Sequence, residues 1–283
     1  MFTIEKLKNE DFPAAINLAN TMNWNMTTAD FEFNKKLEPN GCFALKEKSK
    51  IVGIATCISF GKVGWFGNLI VEEKQRKQGA GTRLVKHSTN YLNSIGVTTI
   101  GLYAYPHLVD FYSRIGFKRD KDFIYLKAQI NISGQAHKGK SNLKKPRQTD
   151  FPKIIDLDAK CFGTSRKKLL QPILKDKETV CLLDKREGNI LGFALANAYN
   201  DSAEVGPLVC NKTDADVAKE LLAAILHNLT SAEVYMCFPT SETELLELAS
   251  SLGFKEEFKV TRMFLGPSIQ TDCVYIAESL ERG

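Results

Sequence analysis

No apolar run of about 18 residues occurs in the 283-residue sequence, so no membrane-crossing helix is expected. The first 20 residues carry Glu5, Lys6, Lys8, Glu10 and Asp11 where a secretory signal needs an apolar core, which points to a soluble, cytoplasmic protein. Cysteine-pairing signals are also missing. The seven cysteines (Cys42, Cys57, Cys161, Cys181, Cys210, Cys237, Cys273) are odd in number, form no C-x-x-C pair and sit mostly among apolar residues. They read as small core residues of a reducing compartment. The four histidines show neither H-x-x-H nor H-E-x-x-H spacing, so no metal is expected. With 43% hydrophobic and 25% charged residues, the chain is not of a disordered or disulfide-scaffold class.

A single charged face is lacking as well. The net charge of +5 divides into +6 for residues 1–127, +5 for 128–149 and −6 for 150–283. An acidic second half argues against a continuous nucleic-acid surface, and a basic first half suits an anionic ligand. The Lys/Arg content of the connector reads as a solvated linker, with a nucleic-acid tether as the other reading.

What the sequence does contain is a repeat. Asp11-Phe12-Pro13-Ala14-Ala15-Ile16-Asn17-Leu18 recurs as Asp150-Phe151-Pro152-Lys153-Ile154-Ile155-Asp156-Leu157, and Val52-Gly53-Ile54-Ala55 as Leu191-Gly192-Phe193-Ala194, both at a shift of 139. Leu69-Ile70-Val71 matches Pro207-Leu208-Val209 at 138, and Ile115-Gly116-Phe117 matches Leu252-Gly253-Phe254 at 137. Each copy opens a helix with Asp as N-cap and Pro in the first turn. A second helix follows at 28–38 or 165–175, then strand-like runs at 41–46, 50–60 and 63–71, or at 179–184, 188–199 and 203–209. A helix at 79–95 or 214–228 leads to a strand at 97–103 or 232–238. A short helix at 107–115 or 241–252 and a last strand after Gly-Phe complete the copy.

Chemistry concentrates in the first copy. The strand Trp65-Phe66-Gly67-Asn68-Leu69-Ile70-Val71 leads through Glu72-Glu73-Lys74-Gln75 into Arg76-Lys77-Gln78-Gly79-Ala80-Gly81-Thr82. A basic loop with two glycines before a helix can cradle a pyrophosphate: backbone N–H groups converge, the helix dipole stands behind them, and a missing Cβ permits close approach. Arg76 and Lys77 add attraction for phosphate. No Gly-Lys-Ser/Thr follows and the third glycine of a dinucleotide fingerprint is absent.

Arg76-x-x-Gly79-x-Gly81 after a Leu-x-Val strand, followed by Phe111-Tyr112-x-x-Ile115-Gly116-Phe117, resembles the GNAT superfamily of acyl-CoA-dependent N-acetyltransferases. The resemblance implies an α+β fold of two tandem GNAT-like domains, each a central mixed, mostly antiparallel sheet flanked by helices. The first, 1–127, is the catalytic domain, 128–141 is a linker, and 142–283 is a degenerate copy with an acceptor-pocket or interface role. It implies acetyl-CoA as co-substrate, clamped by Arg76, Lys77, Gln78, Gly79, Ala80, Gly81 and Thr82, with backbone groups of Leu69, Ile70 and Val71 on the pantetheine and thioester. A strand splayed from its neighbour leaves N–H groups to polarise the thioester carbonyl.

By the same resemblance Tyr112 is the general acid toward the departing thiolate. With a free tyrosine near pKa about 10 and an alkyl thiol near roughly 8.5, full transfer is uphill by about 2 kcal/mol, so a strong hydrogen bond is an equal reading. Trp24, in the segment between the first two helices, either walls an amine pocket or packs in the core. The family's pantetheine-binding Asn is missing, since Ala104-Tyr105-Pro106-His107 occupies that region. No acid lies in 65–71 to act as the base, so a water chain, His107 or an acid from elsewhere has to serve.

In the second copy Asp214 stands for Arg76, Val217 for Gly79, Lys219 for Gly81 and Ala249 for Tyr112, so one active site per chain is expected. The implied reaction is acetyl transfer to a small-molecule or peptide amine by direct attack in a ternary complex, with no nucleic-acid or membrane partner. A non-catalytic acyl-CoA-binding or sensing protein is the alternative, and the oligomeric state, homodimer included, stays open.

Overall fold

The computed structural model describes residues 2–130, 143–199, 202–229 and 232–283. The first copy comprises β1 (Phe2–Lys6), α1 (Phe12–Asn20), α2 (Thr28–Leu37), β2 (Cys42–Glu47), β3 (Lys50–Phe60), β4 (Val63–Val71), α3 (Ala80–Ser94), β5 (Thr99–Ala104), α4 (Val109–Ser113) and β6 (Lys118–Ile130). The second repeats that order as β7 (Leu143–Lys144), α5 (Phe151–Phe162), α6 (Lys167–Lys175), β8 (Thr179–Arg186), β9 (Asn189–Tyr199), β10 (Ser202–Asn211), α7 (Ala215–His227), β11 (Ala232–Pro239), α8 (Thr243–Ser251) and β12 (Lys255–Leu265). It then adds β13 (Cys273–Ile276), which has no counterpart among the described residues of the first copy.

The repeat extends to individual hydrogen bonds. Asp11 and Asp150 accept the backbone N–H of the residue three before them, Lys8 and Arg147, each at 2.9 Å. Lys46 on β2 and Lys185 on β8 then pair with those carboxylates at 3.1 and 2.5 Å. The expected Asp cap on α1 is corrected in its direction. Both aspartates have helical φ and end a short 3-10 turn, so the carboxylate reaches back to that turn rather than forward into the helix.

All the strands join one sheet. β1 to β4 form an antiparallel meander, β4 meets β5 in parallel, and the order continues β12, β6, β11, β10, β9, β8, β7. The strands β6 and β12, equivalent in the repeat, each lie against the other copy. β12 pairs with β5 from Thr261↔Ala104 to Leu265↔Ile100, β6 pairs with β11 from Phe123↔Pro239 to Ile130↔Ala232, and β6 and β12 pair with each other.

β6 continues through Ile130, three residues into the stretch expected as linker. Ala128 and Ile130 are buried in the second copy's core with Val234 and Leu226, which keeps the strand going. The polar linker residues Ser133, Gly134, Gln135, Lys138, Gly139, Lys140, Ser141 and Asn142 lie outside the described residues.

A large core joins the copies, with Trp65, Phe123, Phe162, Phe193 and Phe264 among its members. Smaller cores lie under α3 and α4 and under α1 and α2. One expectation about cysteine is overturned: Cys161 on α5 and Cys273 on β13 form a disulfide, while Cys42, Cys57, Cys181, Cys210 and Cys237 are free and buried. The two partners are 112 residues apart and meet only because β13 folds back beneath α5, which no spacing rule reveals. Among the described residues no helix is long and apolar enough to cross a membrane, and no group of His, Cys, Asp or Glu is placed to hold a metal ion.

Candidate active site

The parallel pairing of β4 with β5 covers only Val63↔Thr99 to Trp65↔Gly101. Beyond it β4 bulges. Asn68 takes φ 48°, its side-chain amide donates to Thr56 Oγ1 at 3.1 Å, and the register with β3 shifts between Ile54 and Thr56. A bulge adds twist and bends the strand, so β4 leaves β5 and an opening forms between them. Leu69, Ile70 and Val71 lie on that departing segment. The Val71 carbonyl is already engaged, accepting Arg76 Nε at 2.9 Å.

The loop after β4 makes a 3-10 turn at Glu73–Gln75 and enters α3 at Ala80. Lys77 and Gly79 both have positive φ, 62° and 80°, the kind of left-handed backbone from which anion-binding concavities of N–H groups are built. A Cβ at Gly79 would meet no protein atom within 4 Å and one at Gly81 would touch only the Phe111 ring at 3.4 Å, and the φ of Gly79 is a further reason for glycine there. Arg76, Lys77, Gln78 and Gly79 are exposed, Ala80 is buried, and Gly81 and Thr82 are half-buried in the first turn of α3. Besides the Val71 carbonyl, the Arg76 guanidinium contacts Met22 Sδ at 4.0 Å, which ties the loop to both β4 and the end of α1.

Tyr112 lies on α4, where the backbone N–H of Phe117 returns to its carbonyl at 3.1 Å and Gly116 takes φ 107°. The Ile-Gly-Phe motif therefore ends the helix and fixes the ring. The ring packs against Phe66 of β4 and against Phe117, at 6.5 and 5.7 Å between centroids, beside the opening. Burial raises its pKa, so the hydroxyl keeps its proton firmly.

Trp24 is held between Asn23 and Asn25, both left-handed at φ 58° and 53°. Asn20 closes this loop, donating to Met26 O at 3.0 Å and accepting Met26 N–H at 2.7 Å. The half-buried indole lies beside Tyr105, just after β5, whose ring meets Phe258 of β12 at 5.3 Å. Trp24 thus bridges to an aromatic group from both copies rather than sitting deep in one core.

In the second copy the matching opening is filled. β10 pairs with β11 only from Ser202↔Glu233 to Val205↔Met236, and Leu208–Asn211 then pair with β13. Val217 is buried, Ala249 has no hydroxyl, and Lys219 pairs with Asp216 and Glu244.

The segment 277–283 after β13 escaped the sequence reading. It turns toward the first copy, where Trp65 Nε1 donates to the Leu280 carbonyl at 3.2 Å, while Arg166 of the second copy donates to the Gly283 carbonyl. A Cβ on Gly67 would stand 2.6 Å from the Cβ and 2.7 Å from the Cα of Glu281. The available signal was Gly67 itself, a glycine inside a strand of large residues, which marks another backbone close by.

Two family models match the chain: an acetyltransferase (GNAT) family over residues 3–117 and an acetyltransferase (GNAT) domain over 154–276. An uncharacterized N-acetyltransferase of Bacillus subtilis (strain 168), YitH, is 21% identical over 207 residues, covering 72% of this chain and 71% of its own. A crystal structure of a putative acetyltransferase from Pyrococcus horikoshii superposes with a TM-score of 0.82 at 20% identity, over 100% of this chain and 96% of that one. A tandem GNAT protein from the clavulanic acid biosynthesis pathway gives a TM-score of 0.61 at 12% identity, over 95% and 100%. With both halves matched and the repeat visible in sheet and sequence alike, the chain belongs to the GNAT family as a tandem of two GNAT domains and is an acyltransferase.

Proposed function

We propose that the protein transfers the acetyl group of acetyl-CoA to a primary amine by direct attack in a ternary complex, using one site in the first copy. The reading rests on one contrast: among the described residues no strand pairs with β4 on its β5 side beyond Trp65, beside a positive-φ glycine loop, while the counterpart between β10 and β11 is occupied by β13. Arg76 to Thr82 hold the pyrophosphate, and the N–H groups of the departing β4 segment polarise the thioester carbonyl. Tyr112 donates to the thiolate as it leaves. Its raised pKa favours a strong hydrogen bond over complete proton transfer. Trp24 and Tyr105 wall the entrance for the amine, a cation before it reacts.

Calorimetric titration of acetyl-CoA tests this. Wild type should bind one equivalent, and Gly79→Val/Gly81→Lys, which installs the second copy's residues, should bind none. Binding that survives the double substitution would remove the cradle argument and the assignment with it.

A further inference from the structure

The β4 segment that faces the opening carries no acid, yet the attacking amine must lose a proton. Gly67, two residues before Leu69, leaves a gap on the face of β4 turned toward the second copy, and the backbone of Glu281 fills it. We propose that Glu281 is the general base of the first copy's site, taking a proton from the acceptor ammonium so that the nitrogen can attack. This rests on the acetyl-transfer reading above.

Its placement is rigid. Segment 277–283 closes on itself, with Gly283 N–H donating to Ser279 O at 3.1 Å and Glu278 N–H to Gly283 O at 3.2 Å. Arg282 grips Glu278 through Nε at 2.9 Å and Nη2 at 3.2 Å, and the Trp65 indole and Arg166 hold the loop from opposite copies.

The surroundings suit a base. Arg282 pairs with Glu281 at 2.5 Å, and the other ionisable groups facing it are Glu278 of the same segment, Asp30 of α2, Glu204 of β10 and Tyr125 of β6. Burial raises the Glu281 pKa, Arg282 opposes that, and Glu278 and Asp30 add to the rise. The side chain nevertheless keeps 24% of its surface exposed, so an amine can reach it. A cleft of about 860 Å³ between α2 and α6 reaches Asp30, Glu278 and Arg282, the neighbours of Glu281, from solvent.

The step balances. One proton passes from R–NH3+ to the Glu281 carboxylate and the nitrogen lone pair forms the C–N bond. The C–S bond then breaks with its electron pair on sulfur, the second nitrogen proton ends on that thiolate, and Glu281 returns its proton to solvent.

The test is the pH profile of kcat/KM from pH 6 to 10 for wild type, Glu281→Gln and Glu281→Asp. The acceptor is whichever of spermidine, tyramine, glucosamine or a lysyl peptide wild type acetylates fastest, and acetyl-CoA affinity is measured alongside by calorimetry. E281Q should lose about 10²–10³-fold at pH 7, with the deficit shrinking as pH approaches the amine's own pKa, E281D should recover part, and acetyl-CoA affinity should stay within about twofold. Gly67→Ala, which pushes the segment off β4 while leaving Glu281 in the chain, should reproduce the pH-dependent loss and stands in should E281Q not fold. A profile for E281Q that superposes on wild type, or is lowered equally at every pH, overturns the assignment but not the acetyl-transfer reading. A wild type that acetylates none of the four amines overturns both.

Discussion

The Arg166 guanidinium meets the Asp158 carboxylate through two hydrogen bonds, Nε to Oδ2 at 3.0 Å and Nη2 to Oδ1 at 2.6 Å, with neither side chain exposed to solvent. The same guanidinium also holds the Gly283 carbonyl, so this pair anchors the segment that carries Glu281. Replacing Arg166 by Met strands a buried carboxylate, which costs about 3–5 kcal/mol. Urea denaturation should show that loss, and Arg166→Met/Asp158→Leu should recover most of it.

Tyr112→Phe removes one hydroxyl from a packed ring whose aromatic contacts remain. Steady-state kinetics should show kcat lowered about 10²-fold with acetyl-CoA affinity retained. Because burial raises the Tyr112 pKa, its proton stays on through the working range, and an alkaline limb of kcat below about pH 10 should survive in the phenylalanine variant. A variant as fast as wild type would leave Tyr112 as packing only.

Glu38 joins the copies through Lys168 at 2.9 Å and also accepts Tyr91 Oη at 2.7 Å and the Ser59 N–H at 3.1 Å. Burial pushes its pKa up, but the three hydrogen bonds and the lysine charge outweigh it and the net shift is downward. The stabilisation is therefore present above the unfolded carboxylate pKa of about 4.3 and disappears as pH falls through the lower folded value. Thermal melts should lose less stability on acidification for Glu38→Gln than for wild type, from a Tm already lower at pH 7. Parallel acid curves would show that Glu38 does not titrate in the fold.

Restoring glycine to the second copy should not restore a site. Val217→Gly/Lys219→Gly rebuilds the loop, but β13 still lies along Leu208–Asn211 where the pantetheine arm would have to enter. Acetyl-CoA titration should still give one equivalent; two would mean that the side chains, not β13, close that copy.

Much of the architecture was legible because repetition doubles every local signal. The helix expected at 79–95 is α3, Ala80–Ser94, and the strand at 50–60 is β3, Lys50–Phe60. The loop Arg76–Thr82 and Tyr112 also lay in view, since glycine spacing and a helix-ending Gly-Phe are local features. What stayed hidden depends on pairing across the chain. Nothing near Ile100 announces that its partner is Leu265, nothing near Leu208 announces Ile276, and Glu281 resembles any acid on a polar turn until Gly67 is placed beside it. The disulfide of Cys161 and Cys273 was missed for the same reason.

The pairing of β12 with β5 sets an order of events during synthesis. Ile100 cannot gain its neighbour on that side until Leu265 has been made, so the first copy emerges from the ribosome with an open sheet edge and is completed only when nearly the whole chain exists. A truncation that discards the second copy would therefore take β12 away from β5 of the first. The exchange of β6 and β12 between the copies thus ties the completion of each sheet to the presence of the other copy.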